Sequence, residues 1–112
     1  MGLHDLKWSG SEKRVARRAY DAALEAAKAG IVAEFKAKAA AVATLSDMWA
    51  IEDYLRQQGR ALDALFDYRY SQLLFVFARL IGEGYLDEGR LAGLSDDKLA
   101  IIRRLLERMK EG

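Results

Sequence analysis

Neither cysteine nor proline occurs in this chain, and histidine occurs once, as His4. Without cysteine there is no disulfide, no thiolate nucleophile and no zinc–cysteine site. One histidine cannot supply the repeated Glu-x-x-His pairs of a four-helix di-iron site, and the few serines have no histidine partner for nucleophilic chemistry. Charge of one sign is lacking too. Lys and Arg number 18 against 17 Asp and Glu, for a net charge of +1, which gives no global pull toward nucleic acid or anionic lipid. The longest apolar run, Leu73–Ala78, falls far short of the roughly 18 residues that a membrane span needs. The opening residues carry no signal-peptide core, so the cytoplasm is the expected location. The glycines are scattered rather than gathered into a phosphate loop. No cofactor, metal, nucleic acid or membrane is expected as a partner, and no enzymatic activity.

What is present is helix-forming. Alanine, leucine, glutamate, lysine and arginine dominate, and these are strong helix formers. The expected class is all-α, in a single domain spanning residues 1–112: a flexible N-terminus over 1–8, a long helical hairpin over 9–66 and a helical head over 67–112. Ser9 or Ser11 is a good N-cap, and Glu12 stands three residues after Ser9 as in a capping box. From there nothing stops a first helix before about Ala43 except Gly30, which costs about 1 kcal/mol relative to alanine. Ser46, followed by Asp47, is the cap signal for a second helix running to about Phe66. A third is expected from Tyr68 to Glu83, ended by Gly84. A short helix follows over Asp87–Ala92, and a last one is capped by Ser95. The acids Asp96 and Asp97 open that helix and Arg103, Arg104, Arg108 and Lys110 close it, as the helix dipole prefers.

The first helix is too long for a compact monomer. Its roughly 33 residues span about 50 Å, whereas a compact chain of this size has a radius of gyration of about 13 Å. It also carries two small or apolar stripes. One is Val15, Ala19, Ala22, Ala26, Ala29, Ala33 and Ala40; the other is Tyr20, Leu24, Ala27, Ile31, Phe35 and Val42. Two such faces need two packing neighbours. The hairpin partner covers one, and a second copy of the chain is expected on the other. The assembly would be a homodimeric four-helix bundle, with Tyr20, Leu24, Ile31, Phe35, Met48, Ile51 and Leu55 at its interface. A first helix that is bent or broken, at Gly30 for instance, and folds into a monomer is the alternative. The third helix is apolar almost all round and is expected at the centre of the head.

The second helix holds the most informative pattern. Met48, Ile51, Leu55, Leu62 and Leu65 make a heptad-like apolar seam. Beside it Trp49, Asp53, Arg56, Arg60, Asp63 and Asp67 follow one another at spacings of four and three, which lines them along one side of a helix. Trp and Arg are the types most enriched at binding hot spots. A solvated face with weak ion pairs is the plainer account, but an exposed tryptophan on such a row needs something to cover it. The carboxylate pair Asp63 and Asp67 lacks the dry cleft that acid–base work requires. Two basic clusters, Lys13, Arg14, Arg17 and Arg18, and Arg103, Arg104, Arg108 and Lys110, are read as solvated faces rather than as a DNA-binding surface.

The residues also resemble a known family, the fluorescence recovery protein of cyanobacteria. The resemblance runs from Trp8–Ser9 to the last helix. It is densest at Leu45, Trp49 and Asp53–Tyr54–Leu55, and again at Asp63, Phe66–Asp67, Arg69, Ser71, Phe75–Val76–Phe77–Ala78, Leu80 and Glu83–Gly84, with Lys98 also matching. It implies an all-helical dimer that binds the orange carotenoid protein, mainly through that protein's C-terminal domain, speeds its return from the photoactivated to the resting state, and holds no pigment or metal. It further implies a partner-binding patch at Trp49, Asp53 and the head residue Phe75, to which Arg56, Arg60 and Lys98 are added here. Departures fall within that patch. The family's helix-two arginine aligns with Gly59, its histidine with Glu52, and a head lysine with Ile101. A dimeric adaptor of the same fold with another partner is therefore the alternative function, and a DNA-binding regulator a more distant one.

Overall fold

The computed structural model describes residues 6–112; His4 and the rest of residues 1–5 lie outside the described residues. Helix α1 (Gly10–Ala40) and helix α2 (Leu45–Leu65) form an elongated hairpin. Helix α3 (Leu73–Gly82), a 3-10 turn (Glu88–Leu91) and helix α4 (Asp96–Glu111) form the head. The molecule measures 53 × 28 × 20 Å, with a radius of gyration of 16.8 Å, well above the value of about 13 Å for a compact chain of this length.

Helix α1 runs unbroken through Gly30, so the broken-helix alternative is excluded. Its start is the expected capping box. The Ser9 hydroxyl accepts from the Glu12 amide at 3.1 Å, and the Glu12 carboxylate accepts from the Ser9 amide at 3.0 Å. The α2 cap lies two residues earlier than expected. Thr44, not Ser46, is the N-cap, and the Asp47 carboxylate accepts from the amides of Ala43 and Thr44. Thr44 with Asp47 completes a reciprocal box, which Ser46 lacks the spacing to make. These two amides hold the Asp47 carboxyl below its ordinary pKa.

The third helix begins at Leu73, not at Tyr68. Residues 66–72 are irregular instead, and packing explains why. Tyr20 on α1 meets Phe66 and Tyr68 edge-on at 5.4 and 4.8 Å, Tyr68 meets Tyr70 at 5.7 Å, and Trp8 meets Tyr70 at 5.4 Å. A segment near the extended conformation points alternate residues the same way. It thus carries three aromatic rings into one cluster while Asp67 and Arg69 pair with each other. A helix would spread those rings around its circumference.

The α3 terminus is a Schellman motif. Gly84 adopts φ +84°, the Tyr85 amide donates to the Leu80 carbonyl, and the Gly84 amide to that of Ile81. The head core centres on Leu73, Leu74, Phe77, Leu80, Leu91 and Ile102, all fully buried. The buried alanines of α1, Ala16, Ala19, Ala23 and Ala27, lack bulk and so permit close approach of neighbouring elements. At Gly93, φ is +110° and a Cβ would stand 2.9 Å from the Val15 side chain, so only glycine fits that turn against α1.

Candidate functional site

Burial ends where the head ends. On α1 no residue after Ala27 is buried, and on α2 only Leu65 is. The outer hairpin therefore leaves large apolar side chains in solvent. Met48 is 55% exposed and Leu55 41%, with Val32, Phe35 and Leu45 also exposed. Such a quantity of exposed apolar surface marks an interaction face.

Beside that face runs the polar row of α2. Trp49 is 62% exposed, and Asp53, Arg56 and Arg60 are exposed along the same helix. Trp49 and Arg60 stand about 16 Å apart along the axis. Arg56 pairs with Glu52 at 3.0 Å, an exposed contact worth only a few tenths of a kcal/mol, so the guanidinium is free to exchange partners. A side chain at Gly59 would meet nothing within 4 Å. Phe75 is also exposed, but on α3 in the head. It thus sits apart from Trp49, which lies in the first turns of α2, beyond the head.

Two expected site residues are placed elsewhere. Lys98, expected at a partner surface, is only 5% exposed. Its ammonium donates to the Lys7 carbonyl at 2.6 Å and to the Glu12 carboxylate at 3.2 Å, under the Trp8 ring at 5.0 Å. Tyr20, expected between two copies, is buried within its own chain against Phe66 and Tyr68. The rings of the 66–70 segment take up the face that the stripe left open. Among the other expected interface residues, Leu24, Ile31 and Ile51 are half-buried, and Phe35, Met48 and Leu55 are exposed.

Sequence reasoning missed the second role of Glu12. Its carboxylate accepts from the amide of Ser9 at the start of α1 and from that of Ser95, the N-cap of α4, at 2.9 Å, and it also holds Lys98. One side chain thus joins two helix starts, reaching an amide 83 residues away in the chain. The Ser9 amide, then the Ser95 amide and the Lys98 ammonium, outweigh burial and lower the Glu12 pKa to about 2.

Residues 8–106 match the family model described as photoprotection regulator fluorescence recovery protein. The chain belongs to the fluorescence recovery protein family. It is 31% identical over 98 residues to the fluorescence recovery protein of Synechocystis sp., covering 88% of this chain and 90% of that one. The structure is similar to that of the fluorescence recovery protein from Fremyella diplosiphon, with a TM-score of 0.86 and 36% identity over 92% of this chain and 100% of the other. For the Synechocystis structure the TM-score is again 0.86, with 30% identity over 90% and 99%. The all-α class and the resemblance read from the motifs both hold. The chain is a helical regulator of the fluorescence recovery protein type, and among its described residues no helix is long and apolar enough to cross a membrane.

Proposed function

We propose that this protein is a non-enzymatic, cytoplasmic homodimer that binds the photoactivated orange carotenoid protein and hastens its return to the resting state. The observation that carries this reading is the exposed row of Trp49, Asp53, Arg56 and Arg60 running beside an uncovered apolar seam. The seam suits pairing with a second copy, and the row suits a client. Phe75 adds a contact from the head. To speed relaxation, the regulator must bind the transition state for closure more tightly than the open state it meets. A surface with both charge signs and a large ring can do this by engaging groups that come together only as the client closes.

One observation favours a second reading, an adaptor of the same fold for a different partner. At the patch positions where the family carries a histidine and an arginine, this chain has Glu52, paired with Arg56, and Gly59.

A single experiment separates the two. Orange carotenoid protein is driven to its red state by blue light, and its reversion in the dark is timed with and without this protein. Severalfold faster recovery is expected; no acceleration at equimolar protein overturns the carotenoid-protein reading. Gly59→Arg sharpens the test. The new side chain fits open space, and replacing a helical glycine stabilises α2 by about 1 kcal/mol. A charge-assisted hydrogen bond to the client, about 1.5–3 kcal/mol, should lower the concentration for half-maximal acceleration at least tenfold. An unchanged concentration dependence would count against this part of α2 as client-facing.

A further inference from the structure

The start of α1 carries Lys13, Arg14, Arg17 and Arg18 on two adjacent rows of the helix, and the fold does something with them that the sequence does not reveal. Arg17 lies over the Tyr68 ring at 3.8 Å and Lys13 over the Tyr70 ring at 5.3 Å. The 66–70 segment therefore provides an aromatic floor for two of the four cations. On the other flank Arg18 shares a shallow depression with Arg90 of the 3-10 turn, floored by Val15, Ala19 and Ala92. Arg17 makes only an exposed contact with Asp21 at 3.4 Å, and among the described residues Arg14, Arg18 and Arg90 pair with no carboxylate. Lys13 and Arg17, already held against rings, lose little freedom on binding, which favours an anionic segment that reaches them beside Arg14 and Arg18. Arginine and tyrosine are both among the residue types enriched at binding hot spots.

We propose that this surface docks an extended, acidic protein segment with carboxylates at alternate positions. Charge complementarity commits it to an anion, and dimensions choose among anions. Arg14 and Arg18 stand one helical turn apart, about 6 Å, and alternate side chains of an extended chain recur about every 7 Å on one side. Two carboxylates at such a spacing meet the two guanidiniums together, and arginine pairs with carboxylates in two-pronged fashion. A nucleic acid fits less well. Firm binding through phosphates uses some 6–10 contacts, whereas this patch is about 8 Å long on the helix. The surface is distinct from the α2 row and does not depend on the identity of the client bound there.

The test uses the full chain and a fluorescein-labelled ten-residue peptide of alternating glutamate and serine, followed by anisotropy at 50 mM salt. Saturable binding is expected, weakening at least fivefold at 200 mM salt. The R14E/R18E double variant should weaken it at least tenfold, and R14Q/R18Q should serve equally if charge reversal disturbs folding. R104E/R108E, the same charge change on exposed positions of α4, should leave binding within twofold of wild type. Absence of saturable binding, equal loss with the α4 variant, or tighter binding of a labelled 12-base-pair duplex than of the peptide would each overturn the proposal.

Discussion

Glu12→Gln lowers the melting temperature by roughly 12–40 °C. Glutamine keeps the shape but removes the charge, and the buried Lys98 ammonium is left with a neutral neighbour. Breaking a buried ion pair from one side costs about 3–5 kcal/mol, and each kcal/mol corresponds to roughly 4–8 °C in a small domain. The loss extends beyond the pair, because the same carboxylate anchors the amides of Ser9 and Ser95. Adding Lys98→Met to Glu12→Gln should recover part of the loss, since the unpaired ammonium is then gone as well. Thermal melts of the two single variants and the double variant measure the coupling, and strict additivity would remove the ion pair from the account.

The same group sets an acid limit. The folded Glu12 carboxyl holds a pKa of about 2 against an ordinary 4.5, so the unfolded chain binds its proton more readily. Its contribution is complete above about pH 4.5 and is lost as the pH falls toward 2. Allowing for solvent at the edge of the pair, the amount is on the order of 2 kcal/mol. The wild type should lose stability across that window more steeply than Glu12→Gln. Parallel pH profiles of the two proteins would contradict the assignment.

The second large effect is on assembly. Leu55→Glu places a carboxylate on the apolar seam of α2, at a side chain 41% exposed in the single chain. In a two-fold dimer the substitution enters the interface twice, and each uncompensated charge costs several kcal/mol. The dissociation constant should rise by a factor on the order of ten thousand at about 5.5 kcal/mol in total. Light scattering at micromolar concentration is expected to give the mass of two chains for the wild type and of one for the variant, with the head still folded. A wild-type mass of one chain would overturn the dimer. A variant that kept the wild-type dimer mass would place the interface elsewhere.

The parts of the fold that were legible in the sequence rest on local chemistry. The Ser9–Glu12 box, the Ser95 cap with its two aspartates, and Gly84 at the end of α3 each act within a few residues, and each stands where its pattern implied. The row from Trp49 to Asp63 on α2 and the near-uniform apolarity of α3 likewise follow from helical spacing alone, whereas Asp67, expected in that row, lies beyond the end of α2 at Leu65 and pairs with Arg69. The α2 cap was misassigned because Ser46 and Thr44 are both good N-caps, and the deciding partner was Asp47 at the correct spacing from Thr44. The late start of α3 had a visible signal. Phe66, Tyr68 and Tyr70 alternate with Asp67 and Arg69, a period of two too short to be read as a strand but sufficient to keep three rings on one side.

Composition and periodicity by themselves determined an all-helical chain, a first helix longer than any compact domain of this size, and the row of residues along α2, because helix propensity, capping and spacing are properties of neighbouring residues. The motif pattern determined the family in the same way. Tertiary structure alone decided that Lys98 and Tyr20 belong to the interior and not to a surface, and that Glu12 ties the start of α1 to the start of α4. It also decided that Lys13 and Arg17 of the α1 basic cluster rest on tyrosines from a distant segment. Which of several suitable faces a side chain meets depends on groups far away in sequence, and no local pattern carries that information.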